Sequence, residues 1–288
     1  MRLLFLLFFA TYSLFALEYT LADSSIANGK TTFIIFQKEQ GVVYDRVAHA
    51  DRAYKIFEHP LDKTKMYALI PMSYDQMPSK EKLRLHYKKN EAAFSEDMFV
   101  VVKDGKYAKE QIQVTKSKVN PTSEAVKKRI SQEYDEAMRI YGTVNKESYI
   151  KSAFIAPMQS VITSDFGKAR VYNDSLKGYH GGTDYRAAVG TTIVASNDGV
   201  VALVADRFYS GGTVLVDHGQ GIYTCYFHMS RFDVKKGQKI KKSQQLGLSG
   251  ASGRVSGPHL HFAVRINKIQ VDPLQFIELI NNKILKEI

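Results

Sequence analysis

Glycine returns at short intervals through the last third of this chain: Gly190, Gly199, Gly211, Gly212, Gly219, Gly221, Gly237, Gly247, Gly250, Gly253 and Gly257. Glycine weakens helix interiors and marks reversals. The segments between these glycines are therefore confined to short extended runs. From Phe154 onward the pattern predicts an antiparallel β-sheet domain with no long helix. Only the apolar positions after Pro273 (Leu274, Ile277, Leu279, Ile280, Ile284) read as helical, which predicts a helix over 273–288 on the outside of that sheet.

Upstream, residues 18 to about 115 hold short alternating runs at 31–36, 66–70, 83–87, 99–103 and 111–114. Asn28-Gly29, Pro60 and Asp104-Gly105 separate them as turn signals. That spacing predicts a small β-sandwich-like domain, and it carries no catalytic constellation. A binding or shielding module is the expectation. Between 118 and 148 the character changes. Pro121 and Glu124 supply helix-start chemistry, Val126, Ile130, Tyr134, Met138 and Tyr141 recur on one helical face, and Gly142 is a stop signal. The fold class is thus mostly β, with 17–117 as an N-terminal β domain, 118–150 as a helical connector and 151–288 as the C-terminal sheet domain.

Residues 1–16 are set apart. Arg2 precedes an apolar run to about Leu17, the pattern of a secretory signal peptide. The run is shorter than the roughly 20 residues a spanning helix needs, so no stable membrane span is expected after cleavage; an uncleaved inner-membrane anchor is the alternative. Cys225 is the single cysteine, so export brings no intramolecular disulfide, and it reads as a small buried hydrophobe. The chain carries a formal net charge of +11. Export makes nucleic acid an improbable target for that charge, which leaves an anionic membrane or an anionic wall polymer.

Chemistry concentrates in the C-terminal domain. His259 and His261 sit two apart in a strand-like run, so both imidazoles project from one face while Leu260 and Phe262 face a core. Residues alone leave open which of the pair would bind a metal. His180 and Asp184 are separated by Gly181, Gly182 and Thr183, which favours a tight turn into a strand over a helix. Strict alternation in 223–228 puts Thr224, Tyr226 and His228 on one face and Cys225 and Phe227 on the other. A hydrolytic zinc site needs about three N/O ligands, an open position and nearby proton carriers. These side chains supply both. No His-Glu-x-x-His helix is present, so histidine must serve as the base. His218 reads as a turn or supporting residue, and His49, His59 and His86 as packing or surface residues.

In this order, Ser164-Asp165-Phe166-Gly167, His180-x-x-x-Asp184, Gly199-Val200-Val201, Tyr226-Phe227-His228, Gly257-Pro258-His259-Leu260-His261-Phe262 and Val271-Asp272-Pro273 resemble the lysostaphin/LytM-type zinc peptidases of bacterial cell walls, over about 153–276. The resemblance implies one Zn2+ per chain held by His180, Asp184 and His261, with His228 and His259 as the catalytic pair. One small departure is Ser243-Gln244-Gln245, in a turn away from the ligands. It implies peptidoglycan as substrate and partner and a periplasmic location. The activity implied is D,D-endopeptidase cleavage of D-Ala–diaminopimelate cross-links, with D,D-carboxypeptidase action in the same groove. The alternative is a catalytically silent module that activates an amidase, a reading disfavoured because all five positions are kept. Substrate-contacting loops are expected near 170–176 and 208–212. The N-terminal domain is expected either to lie over the zinc groove or to anchor the wall; protein partners are not indicated.

Overall fold

The computed structural model describes residues 17–112, 121–172 and 175–285. The expected signal peptide, the last two positions of the 111–114 run and the start of the 118–148 segment lie outside them. Among the described residues, no helix is long and apolar enough to cross a membrane.

The molecule is mostly β. Its largest sheet has ten strands, with the path Ile162–Ser164, Thr183–Arg186, His259–Ile266, Ile222–Phe232, Gly211–Asp217, Gly199–Arg207, Lys239–Ile240. Every neighbouring pair on that path is antiparallel, as the glycine spacing predicts. The register sets Asp184 opposite His261 on one side and Phe227 opposite His261 on the other. Three distant sequence segments thereby meet at one point of the sheet.

The N-terminal part forms two further sheets. Tyr19–Leu21, Thr31–Gln37, Lys65–Pro71 and Phe57–Glu58 make one, and Ser25–Ala27, Ala92–Lys103, Ser79–Lys89, Val42–His49 and Arg52–Lys55 make the other. Four of the runs expected from alternation fall within these strands. Leu83, Leu85 and Tyr87 are buried while Arg84 and Lys88 are exposed, the alternation of a sheet with one wet face. In Thr31–Gln37 all residues but the last are buried, because this strand is covered on both sides.

What covers it is the rest of the chain. Buried residues of Thr31–Gln37 and Lys65–Pro71 belong to the same hydrophobic cluster as Leu260, Phe262, Val264 and Phe276. The helix Pro273–Leu279 touches both Thr31–Gln37 and His259–Ile266. Asp272 caps it, accepting from the amides of Leu274 at 3.0 Å and Gln275 at 3.2 Å, with Pro273 in the first turn, as caps favour. A π-turn over Ile280–Ile284 follows, so the expected helix is present but changes winding, and 286–288 lie outside the described residues. Gln275 acts as a side-chain substitute for a neighbouring strand: its oxygen accepts from Thr31 N at 3.0 Å and its nitrogen donates to Thr31 O at 2.8 Å.

Two other contacts tie the parts together. Tyr74 stacks on Tyr179 with centroids 3.8 Å apart, and Tyr107 and Phe166 pack around the pair. Lys109–Ile112 joins Ala169–Tyr172 as a parallel edge strand, a connection that local alternation in 111–114 does not reveal.

The connector is the helix Glu124–Tyr141. It docks mainly by its last turn. Tyr141 is buried with Leu203, Leu215, Tyr223, Cys225 and Ala263, and Ala137 and Met138 pack on them. Tyr134, expected on the packed face, is 62% exposed; the half-buried stripe of the helix runs through Ile130, Glu133 and Ala137, and Glu133 accepts from Phe208 N at 2.9 Å.

A shared core predicts shared unfolding. Removing the Gln275 amide would leave two backbone groups of Thr31 without partners, at a cost of about 1–3 kcal/mol. Gln275→Ala is therefore expected to lower the denaturant midpoint of a single transition without changing its slope. Two separated transitions would show that the N-terminal sheets unfold alone.

Candidate active site

The site is built where three strands of the large sheet, Thr183–Arg186, His259–Ile266 and Ile222–Phe232, meet the turn that carries His180. Asp184 Oδ1 lies 2.9 Å from His180 Nε2 and 2.8 Å from His261 Nδ1, and those two nitrogens are 2.9 Å apart. All three side chains are buried, and this is the group of His, Cys, Asp or Glu side chains found converging among the described residues. His180 Nδ1 is 2.8 Å from the Asp165 carbonyl oxygen. A carbonyl only accepts, so Nδ1 carries the proton and Nε2 turns its lone pair inward. Burial pushes His261 down to about 4, so its imidazole is neutral at pH 7. Burial acts to raise Asp184, but the contacts with His180 and His261 overcome it and hold the carboxylate well below its usual range. Two imidazoles and one carboxylate are the donor set of a hydrolytic metal site with an open position.

Backbone approach makes this possible. A Cβ on Gly182 would stand 2.6 Å from His261 Nε2 and would collide with the Phe262 carbonyl. Only glycine lets the turn between His180 and Asp184 lie so close to the neighbouring strand.

His228 and His259 flank the cluster. Their rings are 4.8 Å apart, and His228 is 6.1 Å from the His261 ring. His259 Nε2 is 3.7 Å from Asp184 Oδ1. His228 reaches this place against the alternation rule. Tyr226 packs on Phe262, on the core side, and Phe227 packs on His261, on the site side. Strict alternation would send His228 back into the core. Instead it takes φ +62°, and the pairing skips: Gly212 faces Met229 and Val214 faces Tyr226, so two residues oppose Thr213 alone. This bulge turns Phe227 and His228 to the same side. The expected face for His228 is thus corrected, and with it Cys225, which shares the site-side face and is buried under the helix. Burial pushes its thiol up to about 11, as suits an inert packing residue.

His218 and His49 serve the fold. His218 is buried between the Asp198 carbonyl at 2.7 Å and Thr224 Oγ1 at 2.8 Å, and burial lowers it to about 4. His49 is buried against Glu81 Oε2 at 2.8 Å.

A groove of about 410 Å³ opens over the cluster, lined by Glu110, Arg170, Asp184, His228, Arg254 and His259 among others. A second recess is walled by Tyr134 of the helix, Tyr209, Phe227 and Arg265. Of the expected loop regions, Arg170 lines the groove over the cluster, while Tyr209 and Ser210 line the second recess; residues 173–174 lie outside the described residues. Sequence reasoning missed Glu110, and it missed the specific part played by Arg170. Arg170 Nη2 donates to Asp184 Oδ2 at 3.0 Å.

Residues 178–273 match peptidase family M23. The chain carries an M23 peptidase domain. The chain is 38% identical over 115 residues to the peptidoglycan DD-endopeptidase ShyA of Vibrio cholerae, covering 40% of this chain and 27% of that protein. It is 38% identical over 95 residues to the DD-carboxypeptidase/endopeptidase Mpg of Neisseria meningitidis, covering 33% of this chain and 22% of that one. Each curated relative is thus matched over roughly a quarter of its length. A solved M23 peptidase structure from Pseudomonas aeruginosa aligns over 88% of this chain and 95% of its own, with a TM-score of 0.67 and 25% identity. M23 domains are metallopeptidase domains, which calls for a metal, and the His180–Asp184–His261 cluster has the chemistry to hold one.

Gly182→Ala is expected to push the turn off the His259–Ile266 strand and to lower metal affinity at least about tenfold. Metal content after dialysis against a weak chelator measures it. Wild-type retention in the variant would show that the close approach is not needed.

Proposed function

We propose that this protein is a zinc-dependent D,D-endopeptidase of peptidoglycan, exported to the periplasm, which cleaves D-Ala–diaminopimelate cross-links and accepts D,D-carboxypeptidase substrates in the same groove. His180, Asp184 and His261 are its ligands for one Zn2+. His228 and His259 are its catalytic pair. The observation that carries the reading is the placement of two histidines, each with a bare ring nitrogen, beside a three-donor cluster. The substrate rests on the kinship with proteins named as DD-endopeptidases and DD-carboxypeptidases and on the basic charge, which suits a wall rich in stem-peptide carboxylates.

When bound, zinc supplies Lewis acidity, polarising an amide carbonyl and making water a competent nucleophile near neutral pH. The chain's own residues do the rest. His228 donates Nδ1–H to the Ser252 carbonyl at 2.8 Å, and His259 donates Nδ1–H to the Gly257 carbonyl at 2.8 Å. In both, the tautomer leaves Nε2 free to accept a proton. Burial, reinforced by His261 and His259, pushes His228 down to about 3. It is neutral at working pH and passes on any proton it takes. The pair divides two tasks: accepting the proton of the attacking water, and stabilising the developing oxyanion or protonating the leaving amine.

Purified sacculi incubated with the protein lacking residues 1–16, followed by mass spectrometry of muropeptides, test this. Cross-linked dimers are expected to fall and tetrapeptide monomers to rise. Chelator should abolish the change, and His228→Ala or His259→Ala should slow it by about 10²–10⁴-fold. Zinc bound with no product formed would sink the enzymatic reading.

The pH profile carries a separate expectation. His228 is held below the ordinary 6.5, so its accepting form persists as pH falls through that value. With zinc saturating, the acid limb of kcat/KM is expected below pH 6.5. A limb at or above it would assign the base to another group.

A further inference from the structure

Asp184 divides its oxygens between two kinds of partner. Oδ1 faces His180 and His261, and Oδ2 takes the bond from Arg170. A guanidinium there fixes the carboxylate's rotation, yet it also sets a positive charge beside a site meant for a cation. The structure answers that charge from an unexpected direction. Glu110, on the strand that leads out of the N-terminal sheets, has Oε2 3.4 Å from Arg170 Nε and Oε1 3.9 Å from Lys168 Nζ. Glu110 and Arg170 are register partners in the parallel pair, and their side chains are only 26% and 16% exposed. Glu110 also accepts from Ser164 Oγ at 3.0 and 3.1 Å, and that oxygen lies 3.2 Å from His180 Nδ1. One carboxylate thus touches the supports of two of the three donors.

We propose that Glu110 is a positioning residue of the metal centre. It neutralises Arg170 so that the guanidinium can orient Asp184 without repelling the ion, and the N-terminal part of the chain thereby completes the site. This rests on the metal reading above. Without Glu110, the uncompensated Arg170 both competes for the Asp184 carboxylate and opposes a divalent cation.

Zn2+ affinity, measured by competition with a chromogenic chelator, tests the idea in the wild type, Glu110→Gln, Arg170→Gln and the double variant. Glu110→Gln is expected to weaken zinc about 10–100-fold. In the Arg170→Gln background the same change should have less than about a threefold effect, since no guanidinium remains to be balanced. Glu110→Asp keeps the charge and is expected to lose less than Glu110→Gln; its thermal unfolding without metal checks that the fold survives. An affinity of Glu110→Gln within about threefold of wild type, or an equal loss in both backgrounds, overturns the proposal. A wild type that binds no zinc would instead remove the metal reading on which it stands.

Discussion

The Asp184 carboxylate is the hinge of this structure's chemistry. A buried carboxylate is costly unless each oxygen is answered, and here each is answered by a different part of the chain. One oxygen meets two imidazoles, His180 from the turn before the Thr183–Arg186 strand and His261 from the His259–Ile266 strand, the register of the two strands setting Asp184 against His261. The other meets Arg170, which stands on a small separate sheet with the strand from the N-terminal region. The antiparallel register, the glycine turn and the added edge strand are all conditions for satisfying that one group.

Which histidines share a face was legible at His259-Leu260-His261, because strand alternation is a strong rule and this run obeys it. Leu260 and Phe262 are in the core, and His261 faces the cluster. The same rule failed at His228. A bulge shifts the parity of a strand by one, and nothing in Tyr226-Phe227-His228 announces it; the left-handed backbone is imposed by pairing with Gly211–Asp217. Glu110 was illegible for a different reason. Its partners lie more than fifty positions away, and a lone glutamate in a basic stretch reads as a solvated charge. Local periodicity reports which face a side chain occupies, not which distant strand will lie beside it.

The fold shows the same division. The short strands, the connecting helix and the capped C-terminal helix follow from turn chemistry and spacing. The covering of both faces of Thr31–Gln37 does not, although its unbroken apolar run is what such burial requires. Tyr134 shows the limit of helical periodicity too: a repeat of apolar positions predicts a face, while the stripe that is half-buried runs through Ile130, Glu133 and Ala137 and leaves Tyr134 exposed.

Parallel pairing of Lys109–Ile112 with Ala169–Tyr172 also bears on how such proteins can be recombined. The stretch matched to the peptidase family spans 178–273, yet the sheet that borders the site begins before residue 113. A graft cut at the family boundary would carry the histidines and leave behind part of the wall around them. The piece that can be moved intact between architectures is therefore larger than the catalytic sheet, and its true edge lies on the far side of the connecting helix.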